Sequence, residues 1–321
     1  MISAERLTKR FGAFTAIEDV SFEVARGEIV GFLGPNGAGK STTMRILAGV
    51  FPPSHGQVRI DGHDMVRDPL RARALVGYFP ERVSVYLDMT AQHYLRYVGE
   101  MKGLHRRDAR RAASAAIESC SLEPVADRLI GTLSKGFRQR VGIAQALVGA
   151  PSVLILDEPT SGLDPEQVAD MRALIRNLRA ERTVILSTHI LPEVEATCDR
   201  VIIIHRGRVL ALDTPANLNR RVRQTTQVVV EVSGPPAEVL AALRAVPGVR
   251  TVEVAPGGDA VHAVVGADVD RDLREDLAAA IVSRGWGLRE LRPRTLTLEE
   301  IFLALVATES ENDEAARHLP A

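Results

Sequence analysis

GPNGAGKST, residues 34–42, is a glycine-rich segment between an apolar run at residues 29–33 and an amphipathic run at residues 44–49. These patterns predict a strand, a loop and a helix in succession. Such a loop can turn its backbone N–H groups toward a phosphate, and the helix dipole adds to the attraction. The segment matches G-x-x-x-x-G-K-[ST], in which the lysine, here Lys40, reaches the β- and γ-phosphates and the hydroxyl, here Ser41, binds Mg²⁺. We therefore predict a phosphate-binding loop rather than an incidental glycine-rich turn.

The composition is that of an ordinary globular protein. The chain of 321 residues is long enough for two domains, and its formal net charge of −1 provides no field that attracts nucleic acid. No apolar run approaches the roughly 18–20 residues that span a bilayer, and the N-terminus lacks the features of a secretion signal. We expect a cytoplasmic protein without a nucleic-acid partner.

Two carboxylates follow a continuous apolar run at residues 153–156. A run of this kind is typical of a central parallel strand. At its end, Asp157 can hold Mg²⁺ directly or through water, and Glu158 can take a proton from an attacking water. The pair predicts a metal-assisted hydrolytic site.

Other candidates lie at predicted strand ends, where α/β folds collect functional residues. Glu81 ends one predicted strand, and His189 follows another at residues 183–187. A lone histidine is usually a surface or structurally satisfied residue, but this position favours a functional role. Phe11 lies on a predicted turn, where its ring can stack on a purine base or belong to the core.

A second anion site is predicted in LSKGFRQR, residues 133–140. Ser134 is a natural N-cap for the helix that begins there, and a free helix N-terminus attracts anions. Taken alone, this pattern predicts only a capped helix.

In their order and spacing these motifs resemble the ATP-binding-cassette (ABC) ATPases over residues 1 to about 215. The resemblance is greatest to the ATPase subunits of ABC-2-type exporters, including the gliding-motility ATPase group. It implies an α/β P-loop domain with an antiparallel β subdomain and a helical insert at about 82–150. The motifs that carry it are Walker A at 34–42, the Q-loop at 77–81, the signature at 133–140, Walker B at 154–158, the D-loop at 161–164 and the switch histidine His189.

The resemblance implies ATP and Mg²⁺ as cofactors, with Glu158 as general base and His189 in contact with the γ-phosphate. Phe11 would stack on adenine, Lys40 and Thr42 would bind phosphates, and the metal ligands would be Ser41, Asp157 and Glu81. The residues implied to bind nucleotide are Phe11, Asn36, Gly37, Ala38, Gly39, Lys40, Ser41, Thr42, Glu81, Ser134, Gly136 and Asp164.

The same resemblance implies a second ATP-binding subunit, in a head-to-tail homodimer or pseudo-dimer that holds two ATP molecules. Ser134 and the Gly136 backbone would meet the γ-phosphate only when the second subunit closes, and Asp164 would communicate across the dimer. One chain would therefore make half-sites.

Two motifs depart from the family pattern. The usual signature L-S-G-G-Q is here LSKGF, with Lys135 between the retained Ser134 and Gly136. The usual glutamine of the Q-loop is Glu81, whose charge can ligate Mg²⁺ more strongly or whose carboxylic acid can donate a proton. The essential hydrogen-bond donors of the signature, Ser134 and the Gly136 backbone, are retained. With Glu81 in place of glutamine, the role of the Q-loop in timing is open.

After about residue 222 the pattern changes. Residues 222–307 predict the strand-helix-strand-strand-helix-strand order of a small ferredoxin-like α+β domain. No catalytic set of residues occurs there, so we hypothesise a role in dimerisation or regulation. Residues 308–321 are polar and predicted to be disordered.

The resemblance implies a subunit that hydrolyses ATP and energises an ABC-2-type exporter through ATP-driven dimer closure. It would lie on the inner face of the membrane and contact an integral-membrane permease through residues 82–130. An alternative is a soluble ABC ATPase that acts on ribosomes or nucleic acid, but such proteins carry two cassettes or a long coiled coil, and this chain has neither. A regulatory module with negligible hydrolysis would lack Glu158 or His189.

Overall fold

The computed structural model describes residues 1–179, 182–222, 226–255, 260–268, 272–294 and 296–317. The chain divides into two compact units, Met1–Pro215 with Glu309–Ala321, and Ala216–Thr308. Over the described ranges, no helix is both long enough and apolar enough to cross a membrane.

The first unit combines strands and helices in alternation. Its strands are β1 (Ile2–Phe11), β2 (Phe14–Val24), β3 (Ile29–Leu33), β4 (His55–Ile60), β5 (His63–Asp64), β6 (Val76–Phe79), β7 (Val153–Asp157), β8 (Thr183–Thr188), β9 (Arg200–His205) and β10 (Arg208–Asp213). Its helices are α1 (Lys40–Leu47), α2 (Pro69–Ala74), α3 (Ala91–Met101), α4 (Arg106–Ser119), α5 (Lys135–Leu147), α6 (Pro165–Leu178) and α7 (Leu191–Thr197).

The larger sheet has the strand order β10-β9-β3-β8-β7-β6 and is parallel except where β10 pairs with β9. Every residue of β3, β7 and β8 is buried, as expected for strands covered on both faces. The register pairs Leu33 with Thr188 and Asp157 with Ser187. The three central strands therefore end side by side, and the segments that follow them converge at one sheet edge.

A smaller antiparallel sheet, ordered β2-β1-β4-β5, packs through its apolar face with Phe32 and Met44 in one hydrophobic core. A second core joins α3, α4 and α5, which lie between β6 and β7 in the chain, to the other face of the larger sheet. The predicted P-loop fold, with its antiparallel β subdomain and its helical insert, is confirmed.

After β10 the chain continues with α8 (Pro215–Val222), β11 (Thr226–Ser233), α9 (Pro236–Ala245), β12 (Val249–Ala255), β13 (Val261–Ala267), α10 (Arg274–Val282), β14 (Gly287–Pro293) and α11 (Leu298–Arg317). The sheet of this unit has the antiparallel order β12-β13-β11-β14. In β11, alternate valines at 228, 230 and 232 enter a core with Leu243 and Leu277. The predicted strand-helix-strand-strand-helix-strand order is observed; the hairpin turn predicted around 256–259 lies outside the described residues.

The last helix is longer than predicted. The sequence predicts a last helix over residues 298–307 and disorder from residue 308, whereas α11 continues to Arg317. The segment is polar, but it contains no proline or glycine and is rich in glutamate and alanine, which are good helix formers. Residues 308–317 are part of α11, and residues 318–321, for which disorder is also expected, lie outside the described ranges.

Candidate functional site

A cavity of about 480 Å³ lies at the edge where the central strands end. Its walls come from the hairpin between β1 and β2 and from segments that follow β3, β6, β7 and β8. The lining residues are Phe14, Ala16, Asn36, Gly37, Gly39, Lys40, Ser41, Thr42, Glu81, Glu158, Ser161 and His189. The structure thus brings most of the predicted site residues into one cavity.

The glycine-rich loop needs its glycines for steric reasons. Gly39 precedes α1 with φ of 106°, and a Cβ there would lie 2.6 Å from Ile17 Cγ2. A Cβ at Gly34 would lie 2.3 Å from the Ile204 carbonyl oxygen. The loop therefore passes close to its neighbours and delivers the first turn of α1 to the cavity. N–H groups of a first helical turn have no partner within the helix, so those that begin at Lys40 are suited to bind an anion.

Lys40 is the first residue of α1, and its side chain is only 6% exposed. Its Nζ donates hydrogen bonds to the carbonyl oxygens of Gly34, at 2.8 Å, and Pro35, at 3.2 Å. The same Nζ lies 3.5 Å from Glu158 Oε1. The ammonium group is thus positioned between the phosphate-binding loop and the Glu158 carboxylate.

Asp157 lies beneath the cavity and is fully buried. Its Oδ1 accepts hydrogen bonds from Ser187 Oγ, at 2.6 Å, and Ser41 Oγ, at 3.1 Å. Its Oδ2 is buried and has no hydrogen-bond partner in the described part of the chain. Burial raises the pKa of Asp157 above its usual range, and the two hydroxyl bonds offset this only in part. A carboxylate oxygen beside a serine hydroxyl is a donor set that fits Mg²⁺.

Glu158 follows Asp157 in an unusual backbone conformation, with φ of 51°. A residue other than glycine adopts this left-handed region only where its surroundings hold it there. Its N–H donates to Ser187 Oγ at 3.0 Å, and its Oε2 lies 2.9 Å from His189 Nδ1. The Glu158 carboxylate therefore stands between a lysine and a histidine at the wall of the cavity.

Phe11 does not line the cavity. Its ring packs edge-to-face against Phe51, with the centroids 5.7 Å apart, and Lys9 Nζ lies 5.3 Å from its centroid. The aromatic residue that lines the cavity is Phe14, which pairs with Phe11 across the turn between β1 and β2. Phe14 was not among the predicted site residues, and the signal that could have found it is a second aromatic residue three positions after Phe11 on the same hairpin.

Ala38 is a buried residue of the loop itself and does not line the cavity, and Ser134, Gly136 and Asp164 do not line it either. Ser134 caps α5 by accepting the Phe137 N–H, at 3.4 Å, and Asp164 caps α6 by accepting the Gln167 N–H, at 2.9 Å. Ser134 and Gly136 line a separate cavity of about 270 Å³, beside α6. The structure therefore does not bring Ser134, Gly136 or Asp164 to the phosphate-binding loop of the same chain.

Comparison with known proteins gives consistent matches. A sequence profile described as "ABC transporter" matches residues 17–161. The linearmycin resistance ATP-binding protein LnrL of Bacillus subtilis is 34% identical over 79% of this chain and 82% of that protein. The Nod factor export ATP-binding protein I of Ralstonia nicotianae is 35% identical over 96% of this chain and 94% of that protein.

A solved structure matches the fold. It is described as the dimeric structure of a post-hydrolysis state of the ATP-binding cassette MJ0796 bound to ADP and Pi. It is 26% identical, with a TM-score of 0.60, and the alignment covers 67% of this chain and 98% of that chain. The matched region is large enough to contain the whole cassette.

Proposed function

Because the chain belongs to the ABC transporter ATP-binding proteins and is an ATPase of that family, we propose that it energises an ABC-2-type membrane exporter. One observation carries the ATPase chemistry. The phosphate-binding loop, Glu158 and His189 line a single cavity, although they are far apart in the sequence. The names of two relatives, which refer to Nod factor export and to linearmycin resistance, support the exporter assignment.

ATP would enter this cavity with its phosphates on the glycine-rich loop. Lys40 would neutralise charge on the β- and γ-phosphates, and the N–H groups at the start of α1 would hold their oxygens. Mg²⁺ would be held by Ser41 and Asp157, with Glu81 at the cavity wall as a further ligand. The bound ion would neutralise the charge that develops on the transferred phosphoryl group. The buried Oδ2 of Asp157, which has no hydrogen-bond partner among the described residues, supports this assignment.

Glu158 is the proposed general base. A water between its carboxylate and the γ-phosphate would lose a proton to it during attack. His189, 2.9 Å from Glu158 Oε2, would orient this carboxylate and contact the γ-phosphate. For the adenine ring we propose the hairpin that carries Phe11 and Phe14, where one aromatic ring already lines the cavity.

We also propose that two copies assemble head to tail, so that the Ser134 and Gly136 surface of one chain closes on the cavity of the other. The separation of these residues from the phosphate-binding loop supports this arrangement, since a single chain leaves them unused. Asp164, at the start of α6, would lie at the same interface. ATP would then be the ligand that holds the closed dimer together.

The permease contact is proposed for the segment after Glu81, residues 82–130. Large apolar side chains are exposed there at Tyr86, Leu87 and Met101. Exposed apolar residues on a segment that begins at the cavity-lining Glu81 are suited to bind a partner whose position depends on the bound nucleotide. The protein would then lie at the inner face of the cell membrane.

Co-purification tests the exporter assignment. We expect the Glu158→Gln variant, tagged in its own cells and extracted with mild detergent, to bring down a protein with several membrane-spanning helices. The reason is that slow hydrolysis should keep the ATP-bound dimer closed on its partner. Recovery only from the soluble fraction, together with ribosomes or nucleic acid, would instead support the alternative of a soluble mechanical ATPase.

For the second unit we propose an accessory domain with a role in dimerisation or regulation. A chain that ends at about residue 220 is expected to bind ATP with unchanged affinity, because compact units of this size fold separately and the cavity lies in the first unit. Titration of a fluorescent ATP analogue measures this, with circular dichroism as the control for folding. A folded truncated chain that does not bind would contradict the proposal.

A further inference from the structure

Glu193 is a buried carboxylate outside the cavity, and the chemistry described above makes no use of it. It lies in the first turn of α7 and is 5% exposed. Its Oε2 accepts two hydroxyl hydrogen bonds, from Thr160 Oγ1 at 2.8 Å and from Thr188 Oγ1 at 3.0 Å. Burying a carboxylate is costly, and such a group is retained where its hydrogen bonds matter.

The two threonines belong to the segments that carry the proposed catalytic pair. Thr160 follows Glu158 by two residues, and Thr188 directly precedes His189. Thr188 Oγ1 also accepts the Ile190 N–H at 3.0 Å, and this bond forms a turn that contains His189. One carboxylate oxygen thus joins the segment after β7 to the turn after β8.

The strained backbone at Glu158 requires support from neighbouring residues, and the bond between Thr160 and Glu193 can supply it. Its φ of 51° persists only if the chain is held on both sides. On the N-terminal side, Ser187 accepts the Glu158 N–H. On the C-terminal side, the Thr160 hydroxyl is held by Glu193.

We propose that Glu193 is a positioning residue, which keeps Glu158 and His189 at hydrogen-bond distance by holding Thr160 and Thr188 together. This inference rests on the proposed roles of Glu158 and His189. Glu193 touches neither residue, so its effect on hydrolysis passes through the two threonines. ATP binding by the glycine-rich loop does not depend on it.

Glu193→Ala tests the proposal in the full-length protein. We expect kcat for ATP hydrolysis to fall by about 10- to 100-fold, since small displacements of catalytic groups have effects of this size. KM for ATP should stay within about twofold, because the loop contacts are unchanged. Glu193→Gln keeps an acceptor oxygen for both hydroxyls and is expected to retain kcat within about threefold.

A double-mutant comparison separates positioning from a general loss of structure. In a His189→Ala background, Glu193→Ala should lower kcat further by only about threefold or less, because part of what it positions is gone. An equal fold-loss in both backgrounds, or an unchanged kcat in the single variant, would overturn the proposal. If Glu193→Ala does not yield folded protein, Thr160→Val, which removes one donor, carries the same prediction.

The same variants test the roles of Glu158 and His189 separately from the positioning role of Glu193. If Glu158→Gln and His189→Ala hydrolyse ATP at the normal rate, the proposed function of those residues fails. If both lose activity while Glu193→Ala and Thr160→Val do not, only the positioning role of Glu193 fails.

Discussion

Glu158→Gln is expected to lower kcat for ATP hydrolysis by about 100-fold or more while ATP still binds. The amide keeps the size and shape of the carboxylate but cannot take a proton from water. The carboxylate that is lost lies 3.5 Å from Lys40 Nζ and 2.9 Å from His189 Nδ1, and the lysine ammonium group has no lone pair with which to accept a proton in its place. Phosphate release under saturating ATP measures kcat, and a fluorescent ATP analogue measures binding.

Glu118→Gln is the matched control for this variant. Glu118 is an exposed carboxylate near the end of α4, outside the cavity-lining set. The same chemical change there should leave kcat within about twofold. Normal hydrolysis by Glu158→Gln would disprove the base assignment and leave the glycine-rich loop as the only supported part of the site.

Lys40→Met is expected to weaken ATP binding by about 100-fold, or about 2.7 kcal/mol. Methionine fills a similar volume but removes the ammonium group that faces the phosphates. It also removes the lysine cation 3.5 Å from the buried Glu158 carboxylate, so that a bound phosphate would meet a less balanced negative charge. Isothermal titration calorimetry with ATP in the presence of Mg²⁺ measures the change in affinity.

Lys102→Met is the control for the loss of a lysine. Lys102 Nζ also donates to backbone carbonyl oxygens, those of Val148 and Gln145, but it does so at the C-terminal end of α5. The Lys102→Met change should leave ATP affinity within about twofold of the unmodified protein. A thermal melt shows whether the variant remains folded. Equal losses of affinity in the two variants would mean that Lys40 has no special role in phosphate binding.

Much of the site could be predicted because its signals are local. The loop at 34–42 needs glycines, a lysine and a hydroxyl at set spacings, and each of these can be read directly from neighbouring residues. The apolar runs before Asp157 and His189 predict buried parallel strands, and parallel strands bring their ends to one edge. The structure accordingly places Glu81, Glu158 and His189 in the cavity with the loop.

Other features could not be predicted, since they depend on which residues meet across the sheet. Ser187 reaches Asp157 only because β7 and β8 pair in one particular register. In the local sequence, nothing distinguishes Glu193 from an ordinary surface glutamate of a short helix. Its burial, and its bonds to Thr160 and Thr188, follow from the packing of α7 beneath the strand ends.

The sequence by itself determined the P-loop fold, the nucleotide-binding chemistry and the acidic residues after the buried strand. It could do so because glycine conformations, phosphate contacts and strand periodicity are properties of short segments. Only the tertiary structure decided that Phe14 rather than Phe11 lines the cavity, that Ser134 and Gly136 lie apart from the loop, and that Glu193 holds two threonines together. These depend on distances between segments that are remote in sequence, which are set by strand register and packing.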